Sequence, residues 1–269
     1  MRRLAEARSA VERLIRDAPG KVGLVARELA TGEEIRWAAG ERFPAASLIK
    51  IPVLVEALRQ EQQGTLSLDE TIPIRPEDRV GGFGVLKEMP SLSALDLKDL
   101  LILMTVISDN TAANLCISRV GLAAVNSTCR SLGLGGTILQ RMMMDMAARE
   151  RGLDNFTTPA DMAALLEMLA GNRILTPASC TLAIEIMKRQ QVNDRLPLLL
   201  PAGTPVAHKT GELGGVRHDA GIIYAPAGPW VAAVLTSGFD TPLGAGLVGG
   251  EASALIAQVG RLIYDAATD

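Results

Sequence analysis

The chain has 269 residues, of which 48% are hydrophobic and 21% are charged, and its formal net charge is -3. These values are typical of a globular protein that buries its own core, in one large domain or two interlocked ones. No cluster of lysine and arginine is dense enough for a nucleic-acid groove, and the longest strongly apolar run, 100–107, is too short to cross a bilayer.

The sequence carries little information on the cellular compartment. Cys116, Cys129 and Cys180 are odd in number and lack metal-ligand spacing, so they do not indicate a redox environment. No secretory leader is visible, because charged residues interrupt the segment behind Arg2 and Arg3. We therefore expect a cytoplasmic protein, or a secreted or periplasmic one if a leader has been removed.

The first elements are a helix and a hairpin. Apolar residues at 4, 7, 11, 14 and 15 share one face of a helix that ends at Pro19-Gly20. Residues 21–28 alternate as a strand, and residues 34–38 return as a second strand after a turn. The apolar run that follows from Ser47 predicts a buried helix closed by Gly64.

From residue 47 to about residue 200 the pattern is mainly helical. Helices are predicted at 96–107 with Asp96 as its N-cap, at 111–120 and 122–132, at 159–169, and from Thr176 onward. The stretch 135–155 is long and irregular, which in a compact domain indicates a functional loop or disorder.

The last third of the chain returns to strands, at 206–210, 219–225 and 230–237, before a final helix. We predict an α/β (α+β) fold with an antiparallel five-stranded sheet covered by the terminal helices, plus an all-helical lobe. The first two strands must pair with the last three, so the α/β lobe is discontinuous. Its expected bounds are 1–43 and 202–269, and those of the helical lobe are 44–201.

Ser47 and Lys50 begin the predicted buried helix and stand three positions apart, on the same face. A serine hydroxyl becomes a good nucleophile when a base takes its proton. A lysine can be that base when burial and nearby positive potential, including that of the helix dipole, lower its pKa. The alternative for so short a motif is a surface serine beside a solvated lysine.

Two further motifs follow in order, Ser108-Asp109-Asn110 between helices and Lys209-Thr210-Gly211 on a strand. Each alone also fits an ordinary polar cap or an exposed strand edge. With Ser47 and Lys50 they resemble the motif set of class A β-lactamases and penicillin-binding proteins. The order of helices and strands is also similar to that family, so the resemblance covers nearly the whole chain.

The resemblance implies a serine hydrolase whose site lies between the two lobes and which forms an acyl-enzyme on Ser47, with Lys50 as the base. It places the oxyanion between the backbone N–H groups of Ser47 and Glu212. Ser108 would relay a proton to the leaving nitrogen, and Lys209 would polarise that network.

The resemblance also implies a set of substrate contacts. Asn110 would face the substrate or Lys50, and Thr210 with Lys209 would bind a substrate carboxylate. Gly211 would let the substrate backbone lie against the strand edge. Arg217 would supply a second cation for the carboxylate or, alternatively, form a structural salt bridge.

The two histidines offer other chemistry. His208 and His218, with Asp219 adjacent, allow a Ser-His-Asp triad, but the serine–lysine arrangement needs no histidine. Two isolated histidines also make a poor zinc site, so neither a metal nor another cofactor is expected.

The long loop departs from the family pattern. Class A enzymes carry Glu-x-x-Leu-Asn there, and its glutamate positions the deacylating water. In this chain the glutamate position falls on Met142 or Met143 and the asparagine position on Met146 or Ala147. Asp145 is the nearest acid and the candidate deacylation acid/base. Thioether and methyl groups cannot activate water, so deacylation is expected to be slow.

Two smaller expectations concern the mouth of the site. The methionines at 142–144 are expected to pack rather than to form a binding surface. The segment 81–86 is expected to lack the aromatic gate usual in the family.

The resulting hypothesis is a monomeric β-lactamase-related serine hydrolase acting on a small molecule, a β-lactam or a related amide or ester. Such an activity would belong to β-lactam catabolism and antibiotic resistance. The alternatives are a penicillin-binding or sensing module that is acylated without turnover, and a D-Ala-D-Ala-type peptidase or esterase.

Overall fold

The computed structural model describes residues 2–240 and 250–267. Its helices are α1 (Arg2–Arg16), α2 (Lys50–Gln62), α3 (Leu97–Val106), α4 (Asn110–Val120), α5 (Leu122–Ser131), α6 (Met146–Glu150), α7 (Pro159–Ala170), α8 (Pro177–Lys188) and α9 (Gly250–Ala266). Its strands are β1 (Lys21–Glu28), β2 (Glu34–Trp37), β3 (Phe43–Pro44), β4 (Thr71–Pro73), β5 (Ala94–Asp96), β6 (Phe156–Thr157), β7 (Val206–Leu213), β8 (Val216–Ala225) and β9 (Gly228–Ser237).

A five-stranded antiparallel sheet in the order β2-β1-β9-β8-β7 organises the chain. The first strands pair with the last ones through β1 and β9, with Leu24 opposite Val234 and Ala26 opposite Ala232. Strand β8 is buried almost throughout because helices cover both faces of the sheet. The predicted α/β (α+β) fold with a five-stranded antiparallel sheet is confirmed.

Two apolar clusters fill the two sides of the sheet. One cluster joins α1 and α9 to the sheet through residues such as Val11, Leu24 and Ile256. The other joins the opposite face to the helical segment through Val25, Leu54 and Leu165 among many others. Burial of each large apolar side chain stabilises the fold by roughly 1.5–3 kcal/mol relative to leaving that side chain exposed.

Strand β7 is longer than the sequence indicated. It runs to Leu213 rather than ending at residue 210, and β8 begins at Val216 rather than at residue 219. The turn between them is only two residues long, and Gly215 adopts the left-handed conformation at φ 72° that closes it. As a result the Lys-Thr-Gly motif lies inside the strand, and Glu212 lies on it as well.

The structure contains two short sheets and one short helix that the sequence pattern did not predict. Strand β3 pairs with β6, and β4 pairs with β5. Helix α6 interrupts the stretch 135–155, which the pattern had indicated as irregular throughout. Pairing of β3 with β6 brings the end of that stretch next to the segment before Ser47, and Ala45 N donates to Asn155 O at 2.7 Å.

Asp96 occupies the N-cap position of α3, but its side chain makes no cap hydrogen bond. Its carboxylate instead accepts a hydrogen bond of 3.0 Å from the Thr71 hydroxyl, across the β4–β5 pair. Cys116, Cys129 and Cys180 are free and buried. Within residues 2–240 and 250–267, no helix is long and apolar enough to cross a membrane.

Candidate active site

Ser47 lies in a 3₁₀ turn, Ala46–Ile49, that leads directly into α2. Ala46 holds a left-handed backbone at φ 47°, a conformation that costs energy for a residue with a Cβ. The next two residues, Leu48 and Ile49, are fully buried and anchor the turn in the core. The half-buried Ser47 therefore stays at the surface of a cleft on a rigid, sharply bent segment.

Lys50, one turn further on, is buried against residues from a distant part of the chain. Its Nζ donates to Ser108 O at 2.7 Å, to Ser108 Oγ at 3.1 Å and to Asn110 Oδ1 at 2.9 Å. Desolvation lowers the pKa of Lys50 from its ordinary 10.5 to about 7, against the opposing effect of the Asp109 charge. A large fraction of Lys50 is therefore a neutral amine near neutral pH, as a general base must be.

The Ser108-Asp109-Asn110 segment links Lys50 to the cleft. Ser108 has a left-handed backbone at φ 59°, which turns its hydroxyl toward Lys50. The Asp109 carboxylate accepts hydrogen bonds from Ala112 N, capping α4, and from Val85 N and Leu86 N. Asp109 thus fixes both the motif and the segment 81–86 on the other side of the cleft.

Lys209 projects from β7 and is completely buried. Its Nζ donates to Thr210 O at 2.9 Å. Desolvation lowers the pKa of Lys209 well below its usual range, and the positive charges of Lys50 and Arg195 lower it further. The positive charge of Lys50 therefore acts on Lys209 and disfavours its charged form.

Gly211 lets β7 approach the serine turn. A Cβ at this position would lie 3.2 Å from Ala46 Cβ and 3.3 Å from Ala45 O, which is tighter than ordinary contact. The backbone N–H groups of Ser47 and Glu212, which the sequence predicts as the oxyanion hole, belong to the two segments that meet here.

Two adjoining hollows form the cleft, and Ser47 lines both. The larger hollow is lined by Ala46, Ser47, Gly82, Phe83, Asn110, Arg141, Met143, Met144, Met146, Arg149, Asn155, Glu212 and Leu213. The smaller hollow is lined by Ser47, Phe83, Ser108, Val192, Thr210 and Glu212. The structure thereby brings together Ser47, Ser108, Asn110, Thr210 and Glu212 around one opening.

The expectation that segment 81–86 lacks an aromatic gate is wrong, because Phe83 lines both hollows and is 37% exposed. The expectation that the methionines pack rather than form a binding surface is wrong for Met144, which is 42% exposed and lines the larger hollow. Met143 is buried in the core and also lines that hollow, and Met142 packs against the same core. Of the two positions considered for the missing glutamate, the cleft is lined by Met143.

The loop that carries these methionines is clamped at its base. Asn155 Oδ1 accepts from Gln140 N at 2.7 Å and from Arg141 N at 3.1 Å, and its Nδ2 donates to Arg141 O. Arg141 forms a largely buried ion pair of 2.7 Å with Asp154. Asn114 holds Met143 through hydrogen bonds to its N–H and its carbonyl. The geometry of this loop is therefore set by side-chain contacts to its backbone.

Asp145 caps α6 within the loop, where its Oδ1 accepts a hydrogen bond of 2.9 Å from Ala148 N. Neither Asp145 nor Glu150 is among the residues that line the two hollows. The two acids closest in sequence to the missing glutamate position therefore do not line the cleft.

Arg217 is 1% exposed and lies behind the cleft. Its Nη2 is 3.1 Å from Glu212 Oε1, and its Nη1 donates to Leu213 O and Val216 O. Arg195, which sequence reasoning missed, is as deeply buried and donates from Nη2 to Glu212 Oε2 at 2.9 Å. Arg217 lies on β8 and Arg195 lies in the segment after α8. The two arginines come together only in the folded chain.

Both histidines form hydrogen bonds with groups other than a serine side chain. His208 Nδ1 lies 2.9 Å from Asp219 Oδ1, and its Nε2 lies 3.0 Å from Asn193 Oδ1. His218 Nε2 lies 2.8 Å from Pro44 O, and burial lowers the pKa of His218 to about 4. The described residues thus contain a His–Asp pair without a serine partner.

Comparison with known proteins agrees with this geometry. The model of the "Beta-lactamase enzyme family" matches residues 6–267. A beta-lactamase of Streptomyces lavendulae is 29% identical over 229 residues, which cover 82% of this chain and 75% of that protein.

Solved structures show the same similarity. A beta-lactamase of Sphaerobacter thermophilus is 33% identical with a TM-score of 0.87, over 97% of this chain and 96% of that one. PBP-A, solved as a point mutant in an acyl-enzyme complex with penicillin-G, is 32% identical with a TM-score of 0.87, over 98% and 96%. An ancestral class A beta-lactamase is 30% identical with a TM-score of 0.85, over 97% and 99%. The chain belongs to the beta-lactamase enzyme family and is a class A-like serine hydrolase.

Proposed function

We propose that Ser47 is acylated by β-lactams, or by amides and esters of similar shape, and that the acyl-enzyme is hydrolysed slowly. The observation that carries this proposal is the state of Lys50, three residues after Ser47. Its buried amine has a pKa of about 7 and contacts both Ser108 and Asn110. A base that is substantially neutral at working pH and placed beside a serine is what acylation needs.

The proposed acylation step uses these groups in turn. Ser47 Oγ attacks the carbonyl carbon while its proton passes to the Lys50 amine. The backbone N–H groups of Ser47 and Glu212 hold the oxyanion that forms. The C–N bond then breaks, and the leaving nitrogen takes a proton through the Ser108 hydroxyl, which Lys50 supplies with a proton across a contact of 3.1 Å.

The larger hollow indicates which acyl groups fit. Its side chains include Phe83, Met143, Met144, Met146 and Leu213, so that most of its lining is apolar and much of it is flexible thioether. Such a surface favours an apolar or aromatic acyl side chain.

The same hollow supports slow deacylation. Among the described residues that line the two hollows, Glu212 is the one carboxylate, and it is paired with two arginines. A water that attacks the acyl-serine from the loop side meets the Met143 side chain where a base would be needed. Losing one general base typically costs about 10²–10⁴-fold in rate.

A second candidate function rests on this observation, namely a penicillin-binding or sensing module that is acylated without turnover. The acyl-enzyme complex of a PBP-A mutant with penicillin-G supports this candidate. A D-Ala-D-Ala-type peptidase or esterase is the third candidate, and peptide or ester substrates distinguish it.

Intact-protein mass spectrometry after brief and long exposure to penicillin-G and to a chromogenic cephalosporin tests the proposal. We expect a single adduct that maps to the Ser47 peptide, persists for many turnover times of a fast β-lactamase, and is absent in Ser47→Ala. Ser91→Ala, at an exposed serine outside the cleft, should form the adduct normally. An adduct that persists in Ser47→Ala would refute the assignment. A stable adduct with no product release would favour the sensing module over the hydrolase.

A further inference from the structure

The Glu212 carboxylate lies between two buried guanidinium groups at the edge of the cleft. Arg195 Nη2 donates to Glu212 Oε2 at 2.9 Å, and Arg217 Nη2 lies 3.1 Å from Glu212 Oε1. The arginine side chains are each 1% exposed, whereas that of Glu212 is 12% exposed. Glu212 is therefore the member of this trio that faces the cleft.

The position of Glu212 matters because it shares the smaller hollow with Ser47, Ser108 and Thr210. Among the described residues lining that hollow, Glu212 has the only charged side chain. The family resemblance places a substrate carboxylate at Thr210, two positions before Glu212 on β7. A carboxylate bound there would lie beside the Glu212 carboxylate, which already occupies the two guanidinium groups that could otherwise pair with it.

The two arginines are occupied on their other sides as well. Arg195 Nη1 donates to His218 O, and Arg217 Nη1 donates to Leu213 O and Val216 O. An incoming anion could use these guanidinium groups only by displacing the Glu212 carboxylate from them and leaving it unpaired. Breaking a buried ion pair in this way costs free energy, so the Glu212 carboxylate outcompetes a substrate carboxylate for the two guanidinium groups.

We propose that Glu212 is a specificity-determining residue that takes the place of a substrate carboxylate. The cleft then selects β-lactams and related acyl donors whose group next to the leaving nitrogen is uncharged over those that carry a carboxylate there. This inference rests on the proposed acylation of Ser47, and it adds no chemical step to it.

Penicillin-G and its methyl ester test the proposal, because they differ in charge at this one position. The second-order rate of Ser47 acylation is measured for both by quenched-flow mass spectrometry. In the parent protein we expect the ester to react at least as fast as the free acid. In Glu212→Gln, which keeps the shape of the side chain, we expect the ratio to shift at least tenfold toward the free acid. Tenfold corresponds to about 1.4 kcal/mol.

Glu251→Gln, at an exposed glutamate on α9, is the matched control and should keep the parental ratio. A parent protein that prefers the free acid by tenfold overturns the proposal, even if Glu212→Gln does not fold. An unchanged ratio in folded Glu212→Gln also overturns it, and then acylation of Ser47 stands without this role for Glu212. The absence of an adduct with either compound refutes the proposed function itself.

Discussion

The pH dependence of acylation follows directly from the burial of Lys50. The base must be neutral to accept the Ser47 proton, and a pKa lowered from 10.5 to about 7 raises the neutral fraction at any given pH. For a group with this pKa, the neutral fraction is about 1% at pH 5, about half at pH 7 and about 91% at pH 8. The rate of acylation should therefore rise roughly 90-fold between pH 5 and pH 8 and then level off.

The assay is the second-order rate of acylation by a chromogenic cephalosporin, followed by stopped-flow absorbance from pH 5 to pH 10. This rate reports the ionisation of the free enzyme. Lys50→Met should lower it by about 10²–10⁴-fold and remove the midpoint near pH 7. Lys98→Met, at an exposed lysine, is the control and should keep the parental profile.

A different curve would refute the reasoning. If Lys50 kept an ordinary pKa near 10.5, the rate would continue to rise about tenfold per pH unit beyond pH 8. A rate independent of pH from 5 to 8 would exclude Lys50 as the titrating base. His218 cannot account for a midpoint near pH 7, because burial holds its pKa at about 4.

Three further substitutions test the loop and the sheet. Met143→Glu places a carboxylate in the larger hollow and should accelerate steady-state cephalosporin turnover by about 10²–10⁴-fold, while Met142→Glu, at a position that lines neither hollow, should not. Asp145→Ala removes the α6 cap and should lower the free energy of unfolding by about 0.5–2 kcal/mol in urea, with the deacylation rate unchanged. Gly221→Ala sets a Cβ 2.4 Å from His208 Cβ and should lower stability by about 1–3 kcal/mol, measured as a drop in Tm.

Each of these has a contrary outcome. Equal turnover in Met143→Glu and the parent would show that a carboxylate there does not reach the attacking water. Loss of deacylation in Asp145→Ala would mean that this residue acts on the water and not only as a cap. An unchanged Tm in Gly221→Ala would show that β7 and β8 can separate at this point without cost.

The sequence by itself determined the elements that carry the chemistry. The helix that starts after Ser47 is a continuous apolar run, and the local sequence pattern also located β1, although residues 22–26 of that strand are all buried. The three motifs are likewise short and local, because each needs only neighbouring residues on one helix turn or one strand. Their order along the chain sufficed to predict both the family and the five-stranded sheet.

Other features depended on segments far apart in the chain. The pKa of Lys50 is set by burial against Ser108 and Asn110, which lie 58 and 60 positions away. Phe83 reaches the cleft because Asp109 ties down the backbone beside it. No local pattern contains such contacts, since desolvation depends on what packs over a residue and not on its neighbours in sequence.

The pairing of strands decided the rest. β7 extends to Leu213 because β8 supplies hydrogen-bonding partners that far, and the extension carries Glu212 to the arginines behind the cleft. Asp145 is a similar case, because it lies beside the position of the missing base in sequence. In the folded chain its carboxylate accepts a hydrogen bond from Ala148 N and caps α6. The sequence placed charged groups near the site, but their orientation toward the cleft or away from it is a balance of pairing and burial that exists only in the folded chain.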